Sequence, residues 1–151
     1  MQEHLENPRD TERFGARLVR ICTAAKLCPV FFQGELGAGK TSLIQGMVRA
    51  LPGSGEAEVS SPSFTIVNIY PTRPPVAHFD LYRLRDTDLE ESLFEYLGSE
   101  DHLLLMEWSE HLPRQYWPKD HVLVRIDFEG QGRSVEVIGR GRCERTLATG
   151  G

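Results

Sequence analysis

Gly34-Glu35-Leu36-Gly37-Ala38-Gly39-Lys40-Thr41 matches the pattern G-x-x-x-x-G-K-[ST] in full. Before it stands a short apolar run, Pro29-Val30-Phe31-Phe32-Gln33, of the kind that forms a buried parallel strand. After it, Leu43, Ile44, Met47, Val48 and Leu51 share one helical face until Pro52-Gly53 stops the pattern. Strand, glycine loop and helix in that order make a phosphate cradle. Glycines let consecutive backbone N–H groups turn inward with no side chain in the way, and the helix adds the positive end of its dipole.

The chemistry needs the residue types found there. Lys40 supplies a mobile point charge for the β- and γ-phosphates, and the Thr41 hydroxyl suits Mg2+, an ion that takes few protein ligands beside phosphate and water. The expected nucleotide contacts are therefore Glu35, Leu36, Gly37, Ala38, Gly39, Lys40, Thr41 and Ser42. Lys26, Lys40 and Lys119 are the only lysines among 17 basic residues, which makes a chance GKT less credible. A guanine reader would carry an Asn/Thr-Lys-x-Asp string, and none is present. The single Asp-x-x-Gly, Asp127 to Gly130, falls at a hairpin turn, so ATP is favoured over GTP.

Outward from the loop, Asn7-Pro8 with Asp10 reads as the start of an amphipathic helix carrying Phe14, Leu18, Ile21 and Cys22 and ending near Leu27. Residues 52–63 read as a mobile loop or a plain connector, with length favouring the first, Phe64 to Tyr70 and Val76 to Tyr82 as strands, and Asp86 or Asp88 as the cap of a helix running to Leu97. Leu103-Leu104-Leu105-Met106 reads as a buried central strand. Alternating Val122, Val124, Ile126 and Phe128, then Gly130-Gln131-Gly132 and Arg133 to Ile138, read as a hairpin. The expected fold is α/β: a three-layer P-loop NTPase fold, its sheet mostly parallel with an antiparallel C-terminal hairpin. One domain over 1–151 is expected, with a frayed tail at 140–151.

Mg2+ and an attacking water call for carboxylates at the ends of neighbouring strands. Val76-Ala77-His78-Phe79-Asp80 and Leu103-Leu104-Leu105-Met106-Glu107 each end in one. Glu107 ends the better apolar run and is the first choice beside the metal; Asp80 is a second metal-shell ligand or a base that orients water. With Lys40 they make the catalytic set.

Composition bounds the rest. A formal net charge of -5 is a poor prior for gripping nucleic acid unaided, so contact with RNA is expected to be indirect. No apolar run long enough to span a bilayer and no signal-peptide core occur, which points to a cytoplasmic, membrane-free protein. Cys22, Cys28 and Cys143 lack CxxC or zinc spacing and read as reduced, buried thiols; none of the five histidines groups as a metal ligand.

Beside the loop, the strings Ser61-Pro62-Ser63-Phe64-Thr65, His78-Phe79-Asp80-Leu81-Tyr82-Arg83-Leu84 and Glu107-Trp108 make the chain resemble the bacterial TsaE family from about Thr11 to Ile138. The resemblance implies a P-loop ATPase of tRNA N6-threonylcarbamoyladenosine biosynthesis, binding ATP/ADP and Mg2+, slow and stimulated by the TsaD and TsaB proteins. It would hydrolyse ATP to assemble or reset their complex. It makes Asp80 the Walker-B-type acid, Glu107 a further Mg2+ ligand, and Ser61, Ser63 and Thr65 a switch-like segment, with Ser63 where the family pattern has Thr. Thr11 and Arg133 fall where the family keeps a Thr and an Arg near the nucleotide. Trp108 matches a signature aromatic, in contact with a partner or packed at the strand end. The competing readings are a small-molecule kinase using the same cradle, which would need an arginine-bearing lid, and a nucleotide-dependent adaptor with negligible turnover.

Overall fold

The computed structural model describes residues 1–24, 26–55, 59, 67–82 and 91–149. One seven-stranded sheet has the order β1-β7-β6-β2-β5-β4-β3. The strands are β1 (Gln2–Leu5), β2 (Val30–Gln33), β3 (Val67–Tyr70), β4 (Val76–Asp80), β5 (Leu103–Glu107), β6 (His121–Glu129) and β7 (Gly132–Arg140). Among the described residues four helices accompany them: α1 (Pro8–Ala24), α2 (Lys40–Arg49), α3 (Glu91–Leu97) and α4 (Arg142–Thr149).

The central strands β6, β2, β5 and β4 run parallel, with β2 between β5 and β6. This is where the apolar runs Val30–Phe32 and Leu103–Met106 belong, since a strand covered on both sides has no polar face to show. The expected β6–β7 hairpin is present and antiparallel. The sheet is more mixed than expected, however, because β3 pairs antiparallel with β4 at one edge and β1 pairs antiparallel with β7 at the other.

Alternation along the strands divides the interior in two. Val30, Phe32, Val76, Leu103 and Leu105 join Phe14, Leu18, Leu43, Ile44 and Met47 of α1 and α2. Phe31, Ala77, Phe79, Leu104 and Met106 join Leu93 of α3 and Leu112 near two short 3-10 turns, Ser109–His111 and Arg114–Tyr116. Helices α1 and α2 approach closely because both are glycine at the crossing. A Cβ on Gly15 would meet Leu43 O and Met47 N, and one on Gly46 would meet the Glu12 backbone.

Two expectations are corrected, and one strand is added to those expected. The N-terminal residues, for which no element is expected, form an edge strand, which their polar composition conceals: only Leu5 is buried, and the backbone ladder with β7 holds the rest. The tail is not frayed over 140–149. It forms α4, whose Cys143 is buried and whose start is tied to Asp120 through the Arg142 backbone N–H at 2.9 Å. Cys28 and Cys143, expected as reduced thiols, are joined in a disulfide across 115 residues. Cys22 is free, and burial pushes its thiol up to about 12. The strand expected from Phe64 is described from Val67, and the helix expected from residues 86–88 is described from Glu91. No helix among the described residues is long and apolar enough to cross a membrane.

Candidate active site

The glycine loop leaves the end of β2 and enters α2 at Lys40, with Gly37 at φ 80° and Gly39 at φ 110°, backbone that side chains rarely tolerate. Lys40 is buried, and its ammonium donates to the carbonyls of Gly34 and Glu35, the second at 3.0 Å. The Trp108 ring centroid lies 4.1 Å from the same nitrogen. Burial lowers the Lys40 pKa, and Glu107, Glu110 and Asp80 draw it partly back up. The cation is thus held by loop carbonyls that phosphate oxygens can replace.

The two acids come together because β4 and β5 are parallel and in register at Asp80 and Glu107. Glu107 is buried, and its Oε1 accepts the Thr41 hydroxyl at 3.1 Å. Its Oε2 lies 2.7 Å from His78 Nε2. Asp80 is half-buried and accepts the Tyr82 backbone N–H at 2.9 Å. Burial raises its pKa first, the Tyr82 bond opposes this, and the Glu107 charge adds to the rise.

A cleft of about 320 Å3 is lined by Leu36, Thr41, Asp80, Tyr82, Glu107 and Trp108. A second, of about 330 Å3, is lined by Asn7, Thr11, Ala38, Gln131 and Arg133. Gly37, Gly39 and Ser42 border both, so the two clefts lie on either side of the same loop. The Arg133 guanidinium packs over Phe128 at 4.2 Å and donates from Nε to Ala38 O at 2.9 Å. The buried Thr11 hydroxyl donates to Asn7 O at 3.5 Å. A larger depression of about 640 Å3, along Met1, Glu3, Phe14 and Arg17, shares no residue with the loop.

The oxygen set of Thr41, Asp80 and Glu107 fits a hard cation shared with phosphate and water. Among the described residues no group of three or more His, Cys, Asp or Glu could hold a metal by itself. Trp108 takes a left-handed backbone, φ 54° and ψ 43°, a conformation that costs a bulky residue about 1–3 kcal/mol. Its ring packs against Tyr82 at 4.9 Å and covers Lys40. Of the expected residues, Ser61, Ser63 and Thr65 lie outside the described set. The sequence assigned no role to His78, Tyr70 or Tyr82. A histidine inside the apolar strand Val76–Phe79 was the available signal.

A model of the family "Threonylcarbamoyl adenosine biosynthesis protein TsaE" matches residues 5–135. The chain belongs to the TsaE family. It is 36% identical over 132 residues to the tRNA threonylcarbamoyladenosine biosynthesis protein TsaE of Haemophilus influenzae, covering 83% of this chain and 81% of that one. To the protein of the same name from Synechocystis sp. it is 40% identical over 119 residues, covering 76% and 73%. The crystal structure of Bacillus subtilus YdiB superposes with a TM-score of 0.69 at 23% identity, over 100% of this chain and 96% of that one, a likeness of fold. TsaE proteins take part in threonylcarbamoyladenosine biosynthesis on tRNA, and the two clefts flanking the glycine loop are the site to be explained in this member.

Proposed function

We propose that this chain is a P-loop ATPase, one domain of the three-layer NTPase type. It would hydrolyse ATP to assemble or reset a TsaB–TsaD complex that makes N6-threonylcarbamoyladenosine in tRNA. The observation that carries the reading is the single loop Gly34–Thr41 flanked by two clefts, one ending at Asp80 and Glu107 and the other at Thr11 and Arg133. A nucleotide laid over the loop would place its phosphates at the acidic cleft and its nucleoside towards Thr11 and Arg133. Lys40 would exchange the Gly34 and Glu35 carbonyls for β- and γ-phosphate oxygens.

Thr41, with Glu107 and Asp80, would hold Mg2+, which supplies charge neutralisation on the phosphates when bound. Asp80 suits the task of orienting water: burial raises its pKa, and it stands beside Glu107 at the strand ends. Catalysis is then positioning and electrostatics, with no covalent step by the protein. The protein would work in the cytoplasm, reach tRNA only through its partners, and use 61–65 as the nucleotide-sensing segment.

The test is ATP hydrolysis measured with and without TsaB and TsaD, with tRNA modification followed in the same mixture. Slow turnover raised by the partners, and modification lost with Lys40→Met, are expected. Turnover indifferent to the partners overturns the reading, and a phosphorylated metabolite found in a substrate screen would replace it with a kinase.

A further inference from the structure

Tyr70, His78 and Glu107 stand on three adjacent strands, β3, β4 and β5, on the side that faces α2. Tyr70 is in register with Val76, and Glu107 with Phe32, and all belong to or border the core beneath that helix. His78 sits two residues before Asp80 on the same face, diagonal to Glu107 across the parallel pair. The contacts run in one chain. Thr41 Oγ1 donates to Glu107 Oε1 at 3.1 Å, Glu107 Oε2 meets His78 Nε2 at 2.7 Å, and His78 Nδ1 meets the Tyr70 hydroxyl at 3.1 Å.

Hydrogen placement follows from the chemistry. A buried carboxylate only accepts, so the Nε2–H donates to Glu107 Oε2, and Nδ1 accepts a hydrogen bond from the Tyr70 hydroxyl. Glutamate's terminal torsion is broad, and a carboxylate held through one oxygen alone swivels. A donor on the second oxygen removes that freedom. Tyr70 does for His78 what His78 does for Glu107, fixing the ring so that its N–H points at the carboxylate. With a neighbourhood of Val76, Leu103 and Leu105, packing alone would be served by an apolar residue at this position, whereas His78 is fully buried with both nitrogens engaged.

We propose that His78, itself oriented by Tyr70, is a positioning residue that fixes the Glu107 carboxylate with Oε1 turned to Thr41 and the cleft. The inference rests on the Mg2+–nucleotide reading of that cleft. It predicts that His78 affects nucleotide affinity through the metal-dependent part and leaves the part supplied by the loop and Lys40.

The experiment uses the full chain and a fluorescent ATP analogue, with Kd measured in EDTA and in saturating Mg2+; the ratio of the two is the readout. His78→Leu should cut the ratio about tenfold, the loss of one hydrogen bond to a charged group. His78→Gln, whose amide still donates, should restore it to within about threefold, and Tyr70→Phe should fall between the two. A wild-type ratio in His78→Leu, or equal losses with and without Mg2+, overturns the proposal. If His78→Leu does not fold by circular dichroism, Tyr70→Phe decides, since it removes one oxygen and keeps the ring; a wild-type ratio there overturns the proposal equally. A wild-type protein with no Mg2+-dependent gain overturns the reading of the cleft itself, and a normal gain in both wild type and His78→Leu overturns the positioning role alone.

Discussion

Replacing Lys40 with methionine separates what the loop does for nucleotide from what it does for folding. Lys40 is 5% exposed, and its ammonium donates to the Gly34 and Glu35 carbonyls and lies 4.1 Å from the Trp108 ring centroid. Two charge-assisted bonds contribute about 1.5–3 kcal/mol each and the ring about 1 kcal/mol. Withdrawing the ammonium from water costs several kcal/mol, which roughly cancels the gain. Methionine has similar length and volume, so the stability of the free protein should change by no more than about 1–2 kcal/mol. With ATP bound the balance differs, because the same two donors would serve phosphate oxygens. Losing them should cost at least about 3 kcal/mol, about a hundredfold in Kd. Urea denaturation and titration with a fluorescent ATP analogue measure the two effects on one preparation.

The pH dependence follows from the direction of the Lys40 shift. Burial lowers its pKa below 10.5, so the ammonium loses its proton earlier on the alkaline side than an ordinary lysine does. Wild-type affinity for ATP should fall as pH rises towards 10.5, and Lys40→Met should lack that limb. In this interval the unfolded state binds more protons than the folded one. The free wild type should therefore gain stability relative to Lys40→Met as pH rises through it, and lose that gain as pH falls back through the folded pKa. An ATP affinity for Lys40→Met within about threefold of wild type would refute the cradle.

Gly46→Ala places a methyl against the Glu12 backbone of α1 and should destabilise by about 1–3 kcal/mol in urea, because helix backbone cannot give as a side-chain end can. An unchanged midpoint would show that the helices separate without cost. Reducing the Cys28–Cys143 disulfide, which closes a loop of 115 residues, should lower Tm by about 10 °C, and Cys143→Ser should reproduce the loss. Equal melting with and without reductant would count against the cross-link. Asp80→Asn should be more stable than wild type at neutral pH, because burial raises the Asp80 pKa and the folded state disfavours its charge. The wild type recovers stability as pH falls through the raised pKa, so the difference should close towards 3.8; a gap that widens on acidification would reverse the assigned cause.

Much of the centre of the fold is legible along the chain. The runs Val30–Phe32 and Leu103–Met106 read as strands covered on both sides, and both lie in the parallel middle of the sheet. The glycines of the hairpin turn place β6 and β7 as expected. The edges are less legible. Gln2–Leu5 forms a strand through backbone pairing with β7, and backbone pairing leaves no mark on a polar sequence. Arg142–Thr149 has too few apolar residues to show a helical stripe, and it is held by buried Cys143 and the Arg142–Asp120 contacts. Cysteine spacing did not reveal the Cys28–Cys143 bond because its partners meet only when α4 packs back against β7, β6 and α1.

By itself the sequence determined the glycine loop, its lysine and threonine, and the two strands that end in acids, because these depend on local order and on period. Tertiary structure decided everything that depends on register between distant segments. Asp80 and Glu107 stand side by side only because β4 and β5 pair in parallel without a slip. Arg133 reaches the loop 95 residues earlier in the chain only because the hairpin folds over it. The same register puts His78 beside Glu107, and a histidine to which the sequence assigns no role becomes a hydrogen-bond partner of a buried carboxylate.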